Sequence, residues 1–220
     1  MPERYLAYGH DSGCTLCVTE VEVDTILRIA VPGSLALLAV QLSFSARGAI
    51  RDPLGTPPIP LPFFILAKLS AAVCIVALLV EVFRRGGPKP PVTTVIFLCL
   101  WLAGILIMAL SFQRLGSSLR AGLPGEKTAL VTTGIYRYLR NPIYVGGGFL
   151  LAASLTYAFS WINLTAAVLG ALLHHRIALA EEKFLAGRFP EFETYRKATP
   201  RYLPRPALLA GTRHDRGSDS

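Results

Sequence analysis

The apolar residues of this chain come in long unbroken runs, at 25–46, 61–83, 92–112 and 143–180. A helix needs about 20 apolar residues to cross the hydrocarbon core of a bilayer, and every run reaches that length. The last run is too long for one crossing, and Ser160, Trp161 and Asn163 mark a turn inside it. It predicts a helical hairpin. The pattern as a whole predicts an all-α fold: a polytopic transmembrane helix bundle of about five spans, with a C-terminal helical hairpin and a cytoplasmic tail.

The joints between the runs are stiff. Pro53, Pro57, Pro58, Pro60 and Pro62 keep the first loop out of helical conformation, and the stretch 86–91 does the same for the second. Residues 1–24 read as an outer N-terminal tail, 25–112 as three support helices, 113–205 as a core dense in polar residues, and 206–220 as a disordered tail.

Composition agrees, with 52% apolar residues, 16% charged residues and a mean hydropathy of +0.48. A net charge of +8 raises the question of nucleic acid, yet the Lys and Arg residues flank the apolar runs, where they set orientation. An N-terminus outside leaves only Arg4, Arg84, Arg85 and Lys89 on the outer side. Arg47, Arg51, Arg114, Arg120, Lys127, Arg137, Arg140 and every basic residue from Arg176 onward then fall inside. The expectation is N-out and C-in, with no nucleic-acid partner. Arg28 and Lys68, near span ends, can snorkel to the interface. The N-terminal tail is acidic (Asp11, Glu20, Glu22, Asp24) and lacks the positive start of a cleaved signal. Cys14 and Cys17 form a lone CxxC near His10, which leaves an unpaired tail or a disulfide open and falls short of a four-ligand structural metal site. No metal is expected. Cys74 and Cys99 lie within spans as small packing residues.

Polar residues with specific placement gather on the inner side. In Arg140-Asn141-Pro142, proline suits the first turn of a helix and asparagine its cap, so the fourth span starts there. A short turn over 134–140 puts Tyr136 and Arg140 on one face beside the positive end of that span, where an anionic group could sit; a capped helix with snorkelling arginines has the same spacing. Gly146-Gly147-Gly148 permits close approach of a helix or of a cofactor. Glu181-Glu182 is unexpected at a helix C-terminus, which favours cations. On a continuous helix His174 lies two turns from Glu181 on one face, and His175 likewise from Glu182, while the adjacent histidines diverge too far to chelate one metal.

The block Gly134-x-Tyr136-Arg137-x-x-Arg140-Asn141-Pro142-x-Tyr144-x-Gly146, with Glu181-Glu182 and the stretch 195–204, resembles the isoprenylcysteine carboxyl methyltransferase and phospholipid methyltransferase superfamily. Asn141 stands where the eukaryotic isoprenylcysteine enzymes usually carry His. The resemblance implies a membrane methyltransferase using S-adenosylmethionine, in which Gly134, Ile135, Tyr136, Arg140, Asn141, Pro142 and Tyr144 line the cofactor pocket and Glu181 and Glu182 close it. It implies methyl transfer at the inner membrane face to a lipophilic acceptor, a lipid or lipidated molecule such as a prenylcysteine-like carboxylate, with membrane lipids as partners. Glu181, Glu182 or a His could take a proton from an amine acceptor, and Arg176 could bind an acidic substrate group. The alternatives are a phospholipid or amine N-methyltransferase, an NADPH-dependent reductase of the sterol type, and a non-enzymatic scaffold. The reductase motif carries an acid soon after the tyrosine, whereas Tyr144 is followed by Val145-Gly146-Gly147.

Overall fold

A computed structural model describes residues 14–45, 56–84, 89–116 and 129–205. His10, the side chains of Cys14 and Cys17, most of the first and second loops, the inner-loop stretch 117–128 and the tail 206–220 lie outside the described residues. Six α-helices are described: α1 (Cys14–Ser45), α2 (Leu61–Phe83), α3 (Pro91–Leu115), α4 (Pro142–Tyr157), α5 (Trp161–Arg188) and α6 (Phe192–Ala198). A single 3₁₀ turn, Gly134–Arg137, precedes α4. Pro at the first turn of α2, α3 and α4 starts each of them where an N–H would have no partner anyway.

Four of the described helices are long and apolar enough to cross a membrane: Val23–Ser43 within α1, then α2, α3 and α5. The protein is a multi-pass integral membrane protein. The expected hairpin is present as α4 and α5, reversed at Ala158–Ser160, where the Ser160 hydroxyl caps α5 by accepting from the Asn163 N–H at 3.1 Å. Its first limb differs from expectation. At 16 residues α4 spans about 24 Å, short of the roughly 30 Å hydrocarbon core, because the preceding chain turns at Asn141-Pro142 rather than extending the helix.

That short helix is nonetheless the centre of the bundle, contacting α2, α3 and α5. Its main neighbour is α3, and the two cross where Gly104 faces Gly146: a Cβ on Gly146 would come within 2.7 Å of the Met108 side chain, and one on Gly104 within 2.7 Å of Leu150. Of the two roles open to the glycine run, Gly146 serves helix packing. The core joins Leu27 and Val31 of α1, Leu78 and Val82 of α2, Phe97 and Trp101 of α3, and Leu150, Ala153 and Tyr157 of α4. Large apolar side chains also cover the outside: Ile29, Leu37, Trp161 and Ile162 are each more than two-thirds exposed. A surface of this kind suits lipid, not water.

Polar side chains tie the helices where apolar packing alone gives little drive in lipid. Gln41 Nε2 donates to the Ala109 carbonyl at 2.8 Å and Trp101 Nε1 to Ser34 Oγ at 3.1 Å, joining α1 to α3. Deep in the bundle the fully buried Asn163 of α5 donates from Nδ2 to Ser154 Oγ and to the Ala158 carbonyl, while Ser154 Oγ donates to the Cys74 carbonyl of α2 at 2.6 Å.

Candidate functional site

The other end of the α4–α5 hairpin is built around a buried charge. α5 continues without a break past its apolar stretch to Arg188, which carries Glu181 and Glu182 on the same helix as His174 and His175. Glu182 is 6% exposed, and a carboxylate buried to that degree must be paired. It is paired several times over. Arg140 reaches it from the start of α4 with Nε at 3.3 Å and an η nitrogen at 3.2 Å, and Asn141 Nδ2 adds a bond of 2.6 Å. Arg201 closes the other side as a two-pronged clamp, at 2.9 and 2.8 Å.

Asn141 does occupy the N-cap position of α4, as the sequence suggests, but its side chain makes no capping bond. Its amide is turned to Glu182 instead, where a charge-assisted bond outweighs a neutral one. Arg140 is equally committed: its second η nitrogen donates to the carbonyls of Arg196 and Thr199, and its backbone N–H donates to the Pro200 carbonyl. The segment after α5 is thereby folded back over the start of α4. Asn141 N–H to Arg201 carbonyl, Tyr195 hydroxyl to Tyr136 carbonyl (2.6 Å) and Thr199 hydroxyl to Arg137 carbonyl complete the seam.

Tyr136 is buried, and burial pushes its phenol well above the usual value; Tyr195 is raised for the same reason. Both therefore remain neutral, and Tyr195 acts as a donor. Gly134 adopts a φ of +64°, the left-handed region that favours glycine, and the Arg114 side chain packs over it where a Cβ would have to push it aside. Ile135 contributes its carbonyl to the Tyr138 and Leu139 N–H groups, and Pro142 is fully buried. The turn containing Gly134, Ile135 and Tyr136 thus acts as a plug between α3 and the returning C-terminal segment.

Glu181, the neighbour of Glu182, points elsewhere. It accepts a 2.8 Å bond from the Tyr144 hydroxyl, and the Tyr144 ring lies 5.9 Å from that of His174, two turns up α5 from Glu181. His175 is on a different face, its ring nitrogen 2.8 Å from the Tyr202 hydroxyl. The two adjacent carboxylates are chemically distinct: the oxygens of Glu182 receive five donors, whereas Glu181 receives one from Tyr144. Tyr144, Glu181 and His174 form a polar edge against an apolar floor of Phe64, Ala67, Leu173 and Ile177.

Arg176 is exposed and stands apart from these groups, since six residues turn a helix through about 600°, leaving it roughly 120° round from Glu182. Arg201 is the functional-looking residue that sequence reasoning passed over. The signal for it was indirect: a buried acid needs cations, and Arg201 lies within the stiff basic stretch 196–205. Among the described residues no three His, Cys, Asp or Glu side chains group so as to hold a metal ion.

This stretch of chain has known counterparts. Residues 92–191 match the family model described as phospholipid methyltransferase, from α3 through α5. That region is similar to the phospholipid methyltransferase family. Among curated proteins, the cobalt-zinc-cadmium resistance protein CzcN of Cupriavidus metallidurans is 34% identical over 88 residues, covering 39% of this chain and 40% of that one. The nickel-cobalt-cadmium resistance protein NccN of Alcaligenes xylosoxydans xylosoxydans is 33% identical over 86 residues, covering 38% and 40%. The matches thus span well under half the length of these relatives. The matched region takes in Gly134, Tyr136, Arg140, Asn141, Tyr144, Glu181 and Glu182, while Arg201 and α6 lie beyond it.

Proposed function

We propose that the protein is an S-adenosylmethionine-dependent methyltransferase acting at the inner membrane face on a lipid or lipidated acceptor, such as a prenylcysteine-like carboxylate. One observation carries the reading: of two adjacent acids at the end of α5, one is saturated by Arg140, Asn141 and Arg201, and the other is held beside Tyr144 with lone pairs to spare. The family of residues 92–191 supports the same conclusion.

The donor set suits the cofactor, with a division of labour. Glu181 can accept from a ribose diol or balance a positive centre, and Tyr144 and His174 supply aromatic wall. Glu182 and Arg140 are spent on the protein itself, so their part is to fix the start of α4 and hold Glu181 in place. When bound, S-adenosylmethionine supplies a methyl group on a positively charged sulfur. In-line transfer from such a group needs alignment and exclusion of water more than proton relay. The plug at Gly134–Arg137 and the returning C-terminal segment provide cover on the aqueous side. For a carboxylate acceptor no base is needed; for an amine, the alternative acceptor, Glu181 takes the proton. Arg176, exposed on α5, serves as a positive anchor at the inner interface, consistent with an N-out, C-in arrangement.

Calorimetry on the purified protein in nanodiscs tests this. S-adenosylmethionine binds the wild type, and Glu181→Gln weakens binding by about tenfold, the scale of one charged contact. Binding of NADPH in its place, or equal affinity in wild type and variant, would overturn the proposal. Methyl-labelled cofactor incubated with membranes then reports whether the label enters lipid or protein.

A further inference from the structure

Lys68 of α2 takes no part in the polar edge of Tyr144, Glu181 and His174 as described above. It lies in the third turn of α2, with no other charged residue in that helix until Glu81. An ammonium at that depth is costly to leave without a partner. Its side chain runs back over the Phe64 ring, with Nζ 5.1 Å from the ring centroid, and remains exposed on the bundle surface. Phe64 and Ala67 pack with Ile177, Leu173 and Tyr144, which sets Lys68 at the junction of α2, α4 and α5. Lys68 there lies within range of the charge of Glu181 and of the imidazole of His174.

Among the described residues Lys68 forms no ion pair within 4.0 Å; Phe64 gives it a cation–π contact, and Glu181 is bonded to Tyr144. Snorkelling alone accounts for the direction of the side chain. It does not account for its place on the turn of α2, Phe64 to Ala67, that packs against Tyr144 of α4 and Leu173 and Ile177 of α5, within range of the charge of Glu181. An ammonium with three donors, exposed on the bundle surface at the junction of α2, α4 and α5, matches an oxyanion carried by a molecule arriving from the lipid.

We infer that Lys68 is a specificity-determining residue that binds the anionic oxygen group, phosphate or carboxylate, of a membrane-borne acceptor and presents that acceptor beside Glu181 and Tyr144. The inference rests on the methyltransferase reading for its purpose, but the anion contact can be measured without it. Position and charge are what the contact needs, so arginine should substitute and a neutral side chain should not.

The test uses the full chain in phosphatidylcholine nanodiscs, with spin-labelled stearic acid, phosphatidic acid and phosphatidylcholine as probes. The fraction of each label immobilised by the protein is read by electron paramagnetic resonance. The wild type should prefer the two anionic probes over phosphatidylcholine by roughly fivefold, the scale of one lysine at an anionic lipid surface. Lys68→Met should bring that preference close to unity, Lys68→Arg should keep it, and Lys183→Gln, an exposed basic residue nearby on α5, should leave it intact. Millimolar inorganic phosphate should not compete, because the site takes its anion from the bilayer. Preference surviving in Lys68→Met, preference lost equally in Lys183→Gln, or displacement by free phosphate would each overturn the inference. Calorimetry with S-adenosylmethionine runs alongside. Lipid preference that depends on Lys68 in a protein that binds no cofactor would fault the methyltransferase reading and not the anion site; cofactor binding without such preference would do the reverse.

Discussion

Two polar knots hold the α4–α5 hairpin, one near its turn and one at its open end, and they solve the same problem by different means. Near the turn, Asn163 and Ser154 are wholly buried and neutral, and they find their partners in each other and in the backbone carbonyls of Ala158 and Cys74. At the open end, Glu182 is charged and draws its partners from the start of α4 and from Arg201, beyond α6. A neutral knot can be satisfied by whatever peptide groups lie nearby. A buried carboxylate cannot, and it recruits cations from a distance. The charged knot therefore does what the neutral one does not: it folds an otherwise separate segment over the start of α4, and in doing so it fixes the neighbouring, part-buried Glu181 against Tyr144.

The sharpest way to break the comparison is to remove the charge. Glu182→Ala leaves Arg140, Arg201 and Asn141 facing an empty position, and should destabilise the protein by about 3–5 kcal/mol, the usual scale for breaking one side of a buried ion pair. The loss should appear in detergent-titration unfolding and as early proteolysis after Arg188. Stability within 1 kcal/mol of wild type, on the order of a surface pair, would mean that the knot is an adornment of the fold.

Removing the neutral knot should matter less. Asn163→Ala deletes bonds to Ser154 and Ala158 in an apolar setting, and an inter-helical hydrogen bond in a membrane contributes about 0.6–2 kcal/mol. Unfolding should shift by that amount while cofactor affinity stays within about twofold of wild type, since the change lies at the far end of the hairpin. A comparable fall in affinity would mean that the two ends are mechanically coupled through α4.

The two knots also differ in how far the sequence discloses them. The helices are legible because runs of some 20 apolar residues admit few other structures. Pro142 and Asn141 mark where α4 begins, and Glu181-Glu182 stands out because acids oppose the helix dipole there. Asn163 is legible only as a turn marker; that its side chain is buried against Ser154 depends on which face of α5 meets α4, which no local pattern specifies. Asn141 reads as a cap and instead serves Glu182, a tertiary demand overriding a local preference. Arg201 is hidden more deeply. It is 19 residues from Glu182, with a helix and two turns between them, and one arginine in a basic tail looks like the next until the chain is folded.

The smallest effect belongs to the seam that the charged knot draws in. Tyr195 donates a 2.6 Å bond to the Tyr136 carbonyl, and its ring meets that of Phe192 edge-on at 6.1 Å. Tyr195→Phe keeps the ring and removes the bond, and one neutral hydrogen bond is worth about 1 kcal/mol. Because Arg140 and Arg201 still hold the segment, the change should leave global unfolding almost untouched and act locally. Amide exchange over 192–205 should quicken by roughly fivefold, the factor that 1 kcal/mol implies for a local opening. Protection that does not change would place the whole hold on the segment in the arginines; protection lost throughout α5 as well would show that the seam, rather than the buried carboxylate, closes this end of the bundle.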